Sequence, residues 1–243
     1  MTYQAFYRVY RPQSFREMSG QTHVKRTLQN ALLASKTTHA YLFSGPRGTG
    51  KTSTAKIFAK ALNCEHAPAS EPCNECATCK SITEGSHTDV IEFDAASNSR
   101  VEEMRDNIEK VRFAPASARF KVYIIDEVHM LSTSAFNALL KTLEEPPEHA
   151  VFILATTEPH KLPATIISRC QRFDFKRLSS QDILERMKVV LEDIGLPYEE
   201  QALKVIAQAS AGGMRDALSL LDQVVSFSGD SLKLEDTLLV TGS

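Results

Sequence analysis

A glycine-rich run at residues 45–52 is the stretch of this sequence best suited to chemistry. GPRGTGKT matches the pattern G-x-x-x-x-G-K-T, whose backbone N–H groups cradle phosphate. Lys51 would reach the β- and γ-phosphates of a nucleotide, and the Thr52 hydroxyl would hold Mg²⁺. A short apolar strand over Ala40–Phe43 precedes the run, and a helical pattern to about Asn63 follows it, a context that a chance glycine-rich turn would lack. The predicted nucleotide-binding residues are Gly45, Pro46, Arg47, Gly48, Thr49, Gly50, Lys51, Thr52 and Ser53.

An apolar strand that ends in two carboxylates supplies the second half of an ATPase site. The strand is predicted over Lys121–Asp126, and Glu127 follows it directly. Asp126 would hold the magnesium ion through water, and Glu127 would polarise the attacking water. Such a pair is a weak signal by itself and a strong one beside a phosphate-binding loop. Glu127 also argues against a small-molecule kinase, which needs no base for water.

Four of the five cysteines lie within sixteen residues, at Cys64, Cys73, Cys76 and Cys79. Four thiolates at this spacing suit a tetrahedral structural zinc site with no open position for catalysis. Two alternatives stay open at this stage. The C-x-x-C-x-x-C spacing also opens some iron–sulfur runs, and the thiols could be free or disulfide-bonded. A zinc site with four protein ligands would stabilise a surface insertion that has little hydrophobic core of its own.

Composition limits the classes of function. The chain has 243 residues, of which 42% are hydrophobic and 24% charged, as in an ordinary globular protein of one or two domains. No run of 18 apolar residues and no signal-peptide core is present, which predicts a cytoplasmic protein without a membrane partner. The net charge of −2 excludes a free-standing basic nucleic-acid binder. Contact with DNA would need a local patch or a multi-subunit surface.

Strands alternating with helices predict an α/β fold, a doubly wound parallel five-stranded sheet. The expected strands lie at 40–43, 89–93, 121–126, 151–155 and 172–175, and the expected helices of this part at 20–36, from 51 to about 63, from about 101 to 111 and at 132–145. From residue 179 the pattern is helical, with helices at about 181–194, 199–210 and 214–227. We therefore predict an ATPase domain over 1–178, with a zinc module at about 64–79, and a helical lid domain over 179–243.

The first nineteen residues are polar and aromatic. They include Tyr3, Phe6, Tyr7 and Tyr10, followed by Arg11-Pro12. We expect this segment to pack across the face of a domain without forming a regular element. Two roles stay equally open: covering the base of a bound nucleotide, or packing alone.

Several longer motifs carry a family resemblance. Five features together resemble the gamma/tau clamp-loader subunits of bacterial DNA polymerase III, which are AAA+ ATPases. They are GPRGTGKTS, the four cysteines, VYIIDEVHML, FNALLKTLEEPPEHAVFILATTEPHKLPATIISRC and GGMRDALSLLDQ. The resemblance covers nearly the whole chain. The Ser-Arg-Cys motif combined with the cysteine insertion separates this family from most other AAA+ proteins.

The resemblance implies roles for three further positions. Arg169 resembles the arginine finger that reaches the ATP of a neighbouring subunit. Thr157 resembles the sensor residue near the γ-phosphate, with Thr156 as the alternative. Arg215 resembles the second sensor, which contacts phosphate from the lid. With Lys51, Asp126 and Glu127, these residues form the predicted catalytic set, and Cys170 would not be a zinc ligand.

The resemblance also implies partners and a task. Together with other clamp-loader subunits, the chain would use ATP to open the sliding clamp and place it on primer–template DNA in the cytoplasmic replisome, without itself polymerising DNA. The loop Ser97–Arg100 is a candidate DNA contact. The chain ends before most of the family's oligomerising collar, so we expect it to be monomeric alone. The alternatives are a non-hydrolysing scaffold subunit and another AAA+ DNA motor, such as a branch-migration helicase.

Overall fold

Residues 2–97 and 101–243 are described by the computed structural model, and within them five strands form one parallel sheet. The strands are β1 (Ala40–Ser44), β2 (Val90–Asp94), β3 (Lys121–Asp126), β4 (Ala150–Thr156) and β5 (Gln171–Asp174). They lie in the order β2-β3-β4-β1-β5, and each neighbouring pair is parallel. The predicted five-stranded parallel sheet is confirmed, with small shifts at the strand ends.

Helices cover both faces of the sheet and form the C-terminal part. In the described residues they are α1 (Phe6–Val9), α2 (Thr22–Leu33), α3 (Lys51–Asn63), α4 (Ala77–Glu84), α5 (Val101–Glu109), α6 (Thr133–Glu144), α7 (Ala164–Ile167), α8 (Ser180–Ile194), α9 (Glu200–Ala209), α10 (Met214–Ser228) and α11 (Leu234–Thr241). Serine caps begin two of them. The hydroxyl oxygens of Ser132 and Ser179 accept the N–H groups three residues on, each at 3.1 Å.

The sheet separates two apolar cores because successive side chains of a strand point to opposite faces. Tyr41 and Phe43 of β1 pack with α2 and α3 in one core, whereas Leu42 packs with α5 and α6 in the other. Every residue of β1 and of β4 is buried, as expected for parallel strands that are covered on both faces. The doubly wound arrangement follows from this burial.

The strand register brings the carboxyl ends of the strands to one edge. Ser44 pairs with Thr156, and Asp94 pairs with Asp126. The glycine-rich loop, Glu127 and Thr157 directly follow β1, β3 and β4, so they emerge side by side at this edge. Ligands of open α/β sheets bind at such an edge, and the edge therefore positions the candidate site.

Helices α8 to α11 have an apolar core of their own, which includes Met187, Ile206 and Leu221. This helical part closes directly on the glycine-rich loop. The N–H of Met214 donates to the carbonyl of Gly48 at 2.9 Å, and a Cβ added at Gly48 would lie 3.2 Å from the backbone of residue 213. The domain boundary at residues 178 and 179 stays a prediction.

One expectation about local structure was wrong, and one helix was not predicted. The N-terminal segment does contain a regular element, the one-turn helix α1, because its aromatic side chains pack against the lid helices. Phe6 and Tyr10 meet edge to face at 5.9 Å, which fits one turn of helix. Helix α4 within the cysteine module was also missed. Its N-cap residue is Cys76, whose sulfur accepts the N–H of Cys79 at 3.3 Å.

Candidate functional site

A cavity of about 730 Å³ lies between the carboxyl edge of the sheet, the N-terminal segment and the lid. Its volume is within the range typical of ligand-binding clefts. The lining includes all of the predicted nucleotide-binding residues from Pro46 to Ser53. Asp126, Glu127 and Thr157 line it from the sheet, and Arg215 lines it from α10. Residues far apart in the sequence therefore surround one space.

The glycine-rich loop is built around the ammonium of Lys51. This group donates to the carbonyl oxygens of Gly45 and Pro46, at 2.7 Å each, and the residue is only 6% exposed. Burial lowers the pKa of Lys51, and the negative charges of Asp126 and Glu127 oppose that change. The loop packs closely against Phe175 at Gly45, where only glycine fits, because a Cβ there would lie 2.4 Å from the carbonyl oxygen of Phe175.

The two halves of the predicted site touch directly. The Thr52 hydroxyl donates to a carboxylate oxygen of Asp126 at 2.7 Å. The other carboxylate oxygen of Asp126 accepts the N–H of Glu127 at 2.9 Å. The backbone of Glu127 is left-handed, with φ +49°, which is uncommon for a residue other than glycine. Such strained positions occur often at functional sites.

His129 was missed by the sequence reasoning as a site residue. Its Nδ1 lies 2.8 Å from the hydroxyl oxygen of Thr156, and its Nε2 lies 3.5 Å from Glu127 and 3.3 Å from Glu158. Its side chain is only 5% exposed. The ring thus connects the end of β4 to the Glu127 carboxylate. A histidine two residues after the Asp-Glu pair was the available signal, but no role had been assigned to it.

The structure separates the two candidate sensor threonines. Thr156 is completely buried, and its hydroxyl oxygen faces His129 and accepts the N–H of Glu158. Thr157 lines the cavity instead, and its hydroxyl lies 3.5 Å from a carboxylate oxygen of Glu127. Of the two, Thr157 is therefore the residue that could meet a bound phosphate.

The N-terminal segment and the lid also line the cavity. Tyr7, Tyr10, Arg11 and Pro12 line it. The guanidinium of Arg215 lies 4.7 Å from the centre of the Tyr7 ring, a cation–π contact that joins the lid to the N-terminal segment.

Hydrogen bonds attach this segment to the lid. Burial, and then the hydrogen bond to Asp193, raises the pKa of Tyr10 to about 12. Arg186 donates to the backbone carbonyl of Tyr10. Arg177 and Arg186 also line the cavity and were missed as candidates, because a single arginine that belongs to no motif gives no signal in the sequence.

Arg169 lies apart from the other predicted catalytic residues. It does not belong to the described residues that line the cavity. Its guanidinium donates to the carbonyl of Thr165 at 2.8 Å and lies 3.3 Å from Glu144, and its side chain is 35% exposed. The residue is therefore available to a neighbouring molecule. The candidate DNA contact at Ser97–Arg100 lies outside the described residues from Asn98 onward.

The four clustered cysteines come together at one point. Their sulfur atoms all lie within 4.8 Å of one another, close to the roughly 3.8 Å that Zn–S bonds of 2.3 Å imply for a tetrahedron. Backbone N–H groups of residues 75 and 76 donate to the Cys73 sulfur at 3.4 and 3.2 Å. Burial raises the pKa of this thiol, but these hydrogen bonds outweigh it and lower the value to about 7. The cluster can bind a zinc ion, and Cys170 lies outside it.

Family models match most of the chain. One, described as "DNA polymerase III, delta subunit", matches residues 20–179, and another, described as "DNA polymerase III clamp loader subunit, ATPase lid domain", matches residues 182–230. The DNA polymerase III subunit tau of Bacillus subtilis is 70% identical over 243 residues, which are 100% of this chain and 43% of that protein. Subunit tau of Escherichia coli is 52% identical over 95% of this chain and 36% of that protein. The gamma subunit of Buchnera aphidicola subsp. Schizaphis graminum is 47% identical, over 100% of this chain and 67% of that protein.

The chain thus spans less than half the length of the two tau subunits. Among solved structures, the Thermotoga maritima RuvB Holliday junction branch migration motor is similar, with a TM-score of 0.69 and 21% identity over 96% of this chain and 72% of that one. This likeness establishes the AAA+ fold.

Within the part of the chain that the structure describes, no helix has the length and apolar character needed to cross a membrane.

Proposed function

Because this chain belongs to the gamma/tau clamp-loader family of bacterial DNA polymerase III, we propose that it binds ATP with Mg²⁺ in the central cavity and hydrolyses it. The observation that carries this proposal is the convergence of complementary groups on one cavity. Lys51 and the loop N–H groups would bind the phosphates, and Thr52 and Asp126 would hold Mg²⁺. The ion would supply charge neutralisation on the phosphate oxygens.

Glu127 is the proposed base for the attacking water. Its carboxylate lies between Thr157 and His129, which would restrict it to one orientation. Thr157 would contact the γ-phosphate, and Arg215 would do so from the lid. Closure of the lid on ATP would then change the angle between the two parts of the chain, which is how binding could alter the shape of a subunit ring.

The base of the nucleotide is assigned to the N-terminal wall. The glycine-rich loop would hold the phosphates, and Tyr7, Tyr10 and Pro12 line the cavity from the N-terminal segment. Flat, partly apolar groups of this kind suit an aromatic base. Of the two roles that the sequence left open for this segment, we favour covering the base.

We assign Arg169 to the ATP of a neighbouring subunit, since it is exposed and is not among the described residues that line its own cavity. An arginine finger supplied in trans contributes about 10³–10⁵ in rate. The isolated chain should therefore bind ATP and hydrolyse it slowly. The four cysteines would hold a structural zinc ion, because four thiolates leave no position for substrate.

The proposed partners are the other clamp-loader subunits, the sliding clamp and primer–template DNA, within the cytoplasmic replisome. The chain itself is not expected to polymerise DNA, and Arg100 remains a candidate DNA contact. A non-hydrolysing scaffold is disfavoured because Lys51, Thr52, Asp126 and Glu127 are all present at the cavity. A branch-migration motor is supported by the fold alone, at 21% identity.

The test is ATP turnover by the chain alone and with the remaining clamp-loader subunits, clamp and primed DNA. We expect slow turnover alone and a large increase in the assembly. Arg169→Ala should lower the assembled rate by about 10³-fold or more and leave ATP affinity unchanged. The matched control is Arg172→Ala, another carboxylate-paired arginine nearby, which should leave both unchanged. The proposal would be refuted if the isolated chain hydrolysed ATP fast and if neither the partners nor Arg169→Ala changed that rate. Lys51→Ala shows whether the measured turnover belongs to this site.

A further inference from the structure

We propose that the cysteine module positions the base-side wall of the nucleotide cavity, with Glu71 and Asn74 as its positioning residues. This inference rests on the proposed nucleotide site, but it assigns the module a task beyond holding itself together. The segment concerned is Gln13–Arg16. Its neighbours on both sides, Pro12 and Glu17, line the cavity, so the position of this segment sets the position of the wall.

Glu71 of the module holds this segment by its backbone. One carboxylate oxygen accepts the N–H of Phe15 at 3.0 Å, and the other accepts the N–H of Arg16 at 3.3 Å. Gln29 of α2 donates to the same carboxylate at 3.1 Å. Hydrogen bonds to an ionised acceptor are the stronger kind, and a bidentate arrangement also fixes direction. The segment is therefore fastened both to the module and to the sheet domain.

Asn74 makes the second attachment. Its amide donates to the backbone carbonyl of Gln13 at 2.9 Å. Lys60 of α3 is completely buried, and its ammonium donates to the same carbonyl at 3.0 Å, to the Gln13 side chain at 2.8 Å and to the Asn74 side chain at 2.8 Å. A buried ammonium with all three of its protons donated leaves little freedom to the groups around it.

The cysteines determine where these two residues lie. Glu71 and Asn74 stand between Cys64 and Cys76, on the connecting loop that a tetrahedral site would close. The loop is also tied to the sheet domain by Arg119, which donates to the carbonyls of Leu62 and Cys64. A rigid module thus carries two hydrogen-bonding side chains to the back of the cavity wall.

Changes to the cysteine module should affect binding of the nucleotide base and not binding of the phosphates. Loosening residues 13–16 should weaken contacts to the base and leave the phosphate loop intact, because that loop is held by Gly45, Lys51 and the lid. Variants of the module should bind ATP less tightly but bind inorganic tripolyphosphate equally well. A role confined to stability would lower the unfolding temperature without separating these two ligands.

The experiment measures the affinity of the full chain for a fluorescent ATP analogue, with ATP and tripolyphosphate as competitors. Glu71→Gln places an amide donor against a backbone donor, and Asn74→Gly removes the side chain while suiting the left-handed φ of +58°. We expect each variant to weaken ATP binding about tenfold, with tripolyphosphate affinity and zinc content unchanged. Glu75→Gln, an exposed residue of the same module, is the matched control and should bind like the parent.

Removing zinc with a chelator should reproduce the loss of ATP affinity, with residues 11–18 exchanging their amide hydrogens faster. The inference is overturned if Glu71→Gln and Asn74→Gly bind ATP like the parent, or if ATP and tripolyphosphate weaken together. A parent chain that binds no ATP would instead refute the proposed function itself. The two failures are therefore distinguishable.

Discussion

Asp89 offers a quantitative test of how this fold is held together. It precedes β2 and is 2% exposed. Its carboxylate accepts the N–H groups of Ala116, Ser117 and Ala118 at 2.7, 2.8 and 2.8 Å. Burial raises the pKa of Asp89, but the three hydrogen bonds outweigh it and lower the value below the ordinary range. The residue thereby fixes the turn that leads into β3.

The substitution Asp89→Asn keeps the shape and removes the charge. One amide group must then face a buried backbone donor, and leaving that donor unpaired costs about 1 kcal/mol. The two remaining hydrogen bonds change from charge-assisted to neutral, a loss of about 1 kcal/mol each. The sum is about 3 kcal/mol, or 6–12 °C in melting temperature for a chain of this size.

The assay is urea unfolding of both proteins at pH 7, 5 and 3.5. Because the native pKa is lowered, the carboxylate stabilises the fold above about pH 4, and this contribution is lost as pH falls through the native value. The difference between the proteins should be constant from pH 7 to 5 and smaller at 3.5. Asp106→Asn, an exposed carboxylate of α5, should change stability by less than about 0.5 kcal/mol. A difference below 1 kcal/mol at pH 7, or one independent of pH, would refute the reasoning.

Two further predictions concern the site. His129→Ala should lower ATP turnover in the assembled clamp loader by about 10–100-fold with nearly unchanged ATP affinity, because the imidazole orients Glu127. An unchanged turnover would show that Glu127 does not need His129 for its orientation. Gly45→Ala should cost about 2–4 kcal/mol in urea unfolding, because its Cβ would meet Phe175 at 2.4 Å where φ is +151°. Gly195→Ala, with open space around it, should cost only about 1–2 kcal/mol, so equal losses would contradict the clash.

Much of the fold was predictable because its signals are local. Short apolar strands, serine N-caps and the glycines that end helices are signals carried by neighbouring residues. The parallel sheet follows from the alternation of the strands with helices. The one-turn helix α1 and helix α4 were missed for the opposite reason. Each is too short to show a clear period. The side chains of α1 pack against the lid core, and α4 is capped by the sulfur of a clustered cysteine.

The chemical groups of the site could be identified from the sequence. The residue types and spacing of the phosphate loop, the Asp-Glu pair and the four cysteines are properties of short segments, in which spacing dictates geometry. The packing of the whole chain determines which of these groups line the same cavity. It placed Thr157 rather than Thr156 at the cavity and set His129 against Glu127. It also brought the cysteine module to the N-terminal wall, since contacts across tens of residues depend on packing that no local pattern encodes.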